Sequence, residues 1–113
     1  MNDQTVDALI VATLGTLGVP TQNLVYTGTA DDYINYRLLE QKDTNPADDE
    51  PTATEYVFMA NIISRHRHKE LTRQARKALR AAGFYGIETT AELYENDTGR
   101  YHSVIQFNFL EED

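Results

Sequence analysis

The chain has 113 residues, enough for one domain over 1–113 and hardly for two. It contains no cysteine, which excludes disulfides, thiolate metal sites and a cysteine nucleophile. Its formal net charge of −8 disfavours general affinity for nucleic acid.

The pattern predicts a first helix over about 3–17, with Val6, Leu9, Ile10, Leu14 and Leu17 on one apolar stripe. Gly18 stops it and Pro20 prevents continuation. The apolar stretch 8–17 is interrupted by Thr13, Gly15 and Thr16, and it falls short of the roughly 20 residues that span a bilayer. The first residues carry acidic side chains where a signal peptide carries basic ones, so synthesis in the cytoplasm is expected.

A short strand is predicted at 24–26, then a turn at 28–32, then a well-alternating strand at 33–40. Residues 41–53 are predicted to form a long, acidic, flexible loop, with Pro46, Pro51, Asp43, Asp48, Asp49 and Glu50. Residues 55–64 give the strongest strand pattern: Tyr56, Phe58, Ala60 and Ile62 share one face, and Val57, Met59, Asn61 and Ile63 the other. A second helix follows at 69–82, with Leu71, Ala75, Ala78, Leu79 and Ala82 on its inner side and Gly83 beyond its end. A closing hairpin alternates through Ile87, Thr89, Ala91 and Leu93, turns at 96–99, and returns through Tyr101, Ser103, Ile105, Phe107 and Phe109. Glu111, Glu112 and Asp113 are expected in solvent. The fold class read from this is α+β, in the order α-β-β-β-α-β-β. A mostly antiparallel sheet of four to five strands is expected, with both helices on one face.

The charge is unevenly placed. Residues 65–80 hold seven of the ten basic side chains and one acidic residue, Glu70, so this segment is +6 and the rest of the chain −14. Arg73, Arg76, Lys77 and Arg80 recur at i, i+3, i+4 and i+7 on the outer side of the second helix. Such a stripe is most often the solvated face of an amphipathic helix. It also suits contact with an acidic neighbour, and a nucleic-acid module using 69–82 is the competing interaction class. His66 and His68 form a His-x-His pair, with His102 as a possible third zinc ligand, but the basic residues around them repel a cation. Asp43, Asp48, Asp49 and Glu50 lack the alternation and glycine of a calcium loop. Ser64 and Ser103 sit in no nucleophile elbow, and no glycine-rich phosphate loop is present. The expected mode of action is binding or assembly: no enzyme, no catalytic residue, no cofactor and no metal.

The run YINYRLLE at 33–40, the block 55–86 and the run YENDTGRYHSVIQFNF at 94–109, in this order of elements, resemble the tail terminator proteins of long-tailed bacteriophages. These are also called tail completion or tail-to-head joining proteins. The resemblance implies a structural protein of a phage or prophage, assembling as a homo-oligomeric ring, a hexamer, on the tail tube. The ring ends tube polymerisation and joins the tail to the head connector, while DNA passes through without sequence-specific contacts. It implies a place in the host cytoplasm during assembly and at the head–tail junction of the virion, with no membrane partner. Another head–tail neck or completion protein is the near alternative. Within such a ring, Arg73, Arg76, Lys77 and Arg80 are expected to face acidic residues of the next subunit. The loop with Asp43, Asp48, Asp49 and Glu50 is expected to meet the tube or connector.

Overall fold

Val6, Ile10 and Leu14 lie on one stripe of the first helix, α1 (Asp3–Gly15), and all three are fully buried. The computed structural model that places them describes residues 3–44 and 53–112. Five strands follow the expected order: β1 (Thr21–Asn23), β2 (Tyr33–Thr44), β3 (Ala53–Ser64), then helix α2 (His68–Ala81), then β4 (Tyr85–Glu95) and β5 (Arg100–Glu112). The fold is α+β, but the sheet is not mostly antiparallel as expected. It is a mixed sheet in the order β1-β2-β3-β5-β4, in which β1 runs parallel to β2 and the other neighbours are antiparallel.

The parallel edge has a local cause. Leu24 has φ 67, a left-handed backbone that non-glycine residues rarely adopt, and the strand ends there instead of continuing through 24–26. Leu24 and Val25 are 65% and 67% exposed. The chain then loops back before entering β2, so Thr21 pairs with Ile34 and Asn23 with Tyr36. Tyr26 stacks on Tyr33 at 4.1 Å, and its hydroxyl accepts a hydrogen bond from the Ala30 amide. These contacts hold the loop in place.

β2 and β3 are longer than their apolar patterns suggest. Their ladder runs from Tyr33 opposite Ile63 to Thr44 opposite Ala53, so residues 41–44 and 53 are strand rather than loop. Polar cross-strand pairs such as Lys42 with Glu55, 3.5 Å apart, replace apolar ones there. Residues 45–52, including Asp48, Asp49 and Glu50, lie outside the described residues, as does Asp113. Glu111 is buried rather than solvated, and its carboxylate accepts a hydrogen bond from the Tyr56 hydroxyl.

Both helices pack on the same face of the sheet. The core joins Val6, Ile10 and Leu14 to Leu71, Ala75 and Leu79 through Tyr56, Phe58, Ala60 and Ile62 of β3 and Ile105 and Phe107 of β5. Phe58 stacks on Tyr56 and Phe107, and Phe84 meets Phe107 edge-on. On the other face none of the described helices covers the sheet. There Asn61 donates to Asn35 at 2.7 Å and bonds His102 at 2.8 Å, a polar chain across three strands. The closing hairpin changes face midway. A bulge between Thr89 and Ala91 leaves Thr89 opposite buried Ile105 and Ala91 opposite Val104, so Ala91 and Leu93 leave the helix side.

Phe107→Ala should lower unfolding stability by about 3–5 kcal/mol, because it empties a fully buried site against the rings of Phe58 and Phe84. Leu93→Ala, at 53% exposure, should change it by less than about 0.5 kcal/mol in the same urea titration.

Candidate interaction surface on the second helix

α2 is held at both ends by its own sequence. The Ser64 hydroxyl, fully buried, accepts the Arg67 amide at 3.0 Å just before the helix begins. At the far end Gly83, φ 100, sits in the left-handed position, with Gly83 N donating to Arg80 O and Phe84 N to Leu79 O. Phe84 and Leu79 then meet in the core, which fixes the rotation of the helix. Leu71, Ala75 and Leu79 face the sheet, so Arg73, Lys77 and Arg80 are exposed and Arg76 half-buried.

The cations of 65–80 divide into two groups. Arg65 and Arg67, ahead of the helix, are paired: Arg65 with Asp31 at 3.4 Å and Arg67 with Asp32 at 3.0 Å. Arg100 from β5 joins Asp31 at 3.3 Å, so the cluster ties the loop before β2 to two other turns. Burial pushes the Asp32 carboxyl up. Hydrogen bonds from Arg67, Ser64 and the Arg65 amide, and the Arg67 charge, outweigh burial and hold it below its ordinary value. Lys69, Arg73, Arg76, Lys77 and Arg80 make no ion pair among the described residues. Arg76 donates instead to the Thr89 hydroxyl at 3.0 Å. With Glu70, the helix therefore carries a net four positive charges, and these are the ones free to act outward.

Beside this row runs an open groove of about 350 Å³ between α2 and β4, lined by Lys69, Thr72, Arg73, Arg76, Thr89, Glu92 and Ser103. The groove contains two of the four stripe residues read from sequence, Arg73 and Arg76. Lys69 was legible as one more helical turn of the same row, four positions before Arg73. Thr89, Glu92 and Ser103 come from the hairpin, and nothing local in the sequence links them to the helix. Asp43 does not approach the stripe: it stands opposite Thr54 on β3, whose hydroxyl donates to it at 3.4 Å.

The three histidines do not converge. His66 is exposed in the junction between β3 and α2, outside both strand and helix. His68 opens α2, buried, with its ring 4.4 Å from Tyr101 and its Nε2 2.8 Å from Glu92. His102 points to the opposite face of the sheet, against Asn61. Among the described residues no group of three His, Asp or Glu could hold a metal ion. None of the described helices is long and apolar enough to cross a membrane. The half-exposed rings of Tyr94 and Tyr101 pack together at 4.8 Å beside the start of α2, an aromatic pair that helix periodicity alone does not reveal.

The fold has a counterpart among solved structures. A chain in the virion of a native gene transfer agent (GTA) particle superposes with a TM-score of 0.50 at 15% identity, over 94% of this chain and 86% of that one. That likeness establishes a shared fold along nearly the whole length. Neither a family model nor a curated protein matches the chain.

Asp32→Asn should lower the urea midpoint at neutral pH. A carboxyl held below its ordinary value of 3.8 adds stability that is complete above that value. The gap between wild type and variant should therefore be constant above it and close as the pH falls below it.

Proposed function

We propose that this chain is a structural subunit of a phage-type particle, a tail terminator that closes into a ring, ends tail-tube growth and joins the tail to the head connector. The observation that carries the reading is the fold likeness to a virion chain of a gene transfer agent particle, spanning 94% of this chain. The charge distribution supports it. A helix whose lysines and arginines make no ion pair among the described residues, on a molecule of net charge −8, suits contact between unlike surfaces of successive copies. Such head-to-tail contacts close into rings when the rotation between copies divides a full turn. The chain then acts by binding, with no chemistry of its own.

The test is electron microscopy of the purified protein mixed with tail tubes of its own particle. Rings at one end of each tube are expected. Tubes left bare, or decorated along their length, would contradict the role. Arg76→Glu with Arg80→Glu should weaken the ring, seen as a smaller sedimenting species and fewer capped tubes. Unchanged size and capping would remove the stripe from the interface.

One observation favours a second reading. Tyr94 and Tyr101 pack beside His68 at the start of the cationic helix, and offer stacking surfaces as single-stranded nucleic-acid sites do. A gel shift on single-stranded DNA that weakens steeply with salt would support that reading over ring formation.

A further inference from the structure

We propose that the groove between α2 and β4 is a carboxylate-receiving site, and that its occupant is the acidic strand end of a second copy of this chain. This rests on the self-assembly reading above and names the two surfaces that meet. On one wall of the groove stand Lys69, Arg73 and Arg76. Thr89 and Ser103 contribute hydroxyls, so anionic oxygens would meet both charge and hydrogen-bond donors, while the Thr72 hydroxyl is spent on the His68 carbonyl at 2.6 Å. No carboxylate among the described residues pairs with those cations, since Glu92, the one acid in the groove, is bonded to His68.

The complementary surface is the far end of the sheet. There β2, β3 and β5 bring Asp43, Thr54 and Glu111 into one row, with Glu112 opposite Ala53 beside them. Asp43 and Glu112 are exposed, and no cation among the described residues pairs with either. Within one copy the two surfaces cannot meet. The groove is level with Ser103, and Glu112 lies nine residues farther along the same strand, roughly 30 Å away. The molecule measures 52 × 24 × 22 Å, so its acidic end and basic flank are well separated. The end of one copy in the groove of the next is a heterologous contact that repeats from copy to copy.

The absence of cysteine gives a clean test. Single-cysteine variants Arg73→Cys and Glu112→Cys, mixed and mildly oxidised, should form a mixed disulfide well above the yield of Arg73→Cys mixed with the control Thr27→Cys. Equal yields, or none, would overturn the proposal, including the case in which the protein stays monomeric. Sedimentation supplies a second readout. Arg73→Glu alone and Glu112→Lys alone should each weaken self-association by about tenfold, and the two changes in one chain should restore most of it. Single reversals without effect, or a double variant no better than either, would also overturn it. Capped tubes without the disulfide would leave the particle role standing and remove the groove. The disulfide without capped tubes would do the reverse.

Discussion

β3 is hydrogen-bonded along both edges, to β2 and to β5, and one of its faces carries Tyr56, Phe58, Ala60 and Ile62 into the core. Neither helix has another apolar surface of that extent to lie on. α1 brings Val6, Ile10 and Leu14 to it, and α2 brings Leu71, Ala75 and Leu79. Burial of these side chains supplies the main driving force of folding and fixes which way each helix turns. The outward row of cations on α2 follows from that constraint. Leu71, Ala75 and Leu79 must face the sheet, so Arg73, Lys77 and Arg80 must face away.

The hairpin that follows α2 turns that row into a site. The Schellman turn at Gly83 and Phe84 sends β4 back beside the helix, and β4 joins the sheet through β5. The bulge between Thr89 and Ala91 keeps Thr89 under Arg76 while Ala91 and Leu93 pass to the other face. Meanwhile Asp31 and Asp32 take up the charge of Arg65, Arg67 and Arg100. The cations ahead of the helix thus brace the fold, and those on the helix make no ion pair among the described residues. Exposed ion pairs add little stability singly, so the brace acts mainly by fixing the geometry of three turns.

Much of this was legible in the sequence, and the failures have physical causes. The two helices, the inner face of β3 and the strand face from Ser103 to Phe109 follow from apolar periodicity, which records burial directly. β1 sits earlier than its apolar residues suggest because Leu24 takes a left-handed backbone that no pattern of hydrophobicity encodes. The parallel pairing of β1 follows from the same loop and was missed with it. Residues 41–44 read as loop because their strand is held by polar cross-strand pairs. In β4 a bulge breaks an alternation that looked regular. The basic stripe was legible as a helical face. Its division into paired and unpaired cations was not, because Asp31 and Asp32 are more than thirty residues from Arg65 and Arg67 in sequence.

The central claim is that unpaired cations on α2 hold successive acidic copies together. Sedimentation equilibrium of the wild-type protein across a range of salt concentrations tests it most directly. Electrostatic contacts between exposed surfaces are screened over about 8 Å at physiological ionic strength and over about 3 Å at 1 M. The account predicts assemblies at low salt that dissociate steadily as salt rises. Association that is unchanged or strengthened by salt would contradict it and point to an apolar contact elsewhere on the molecule.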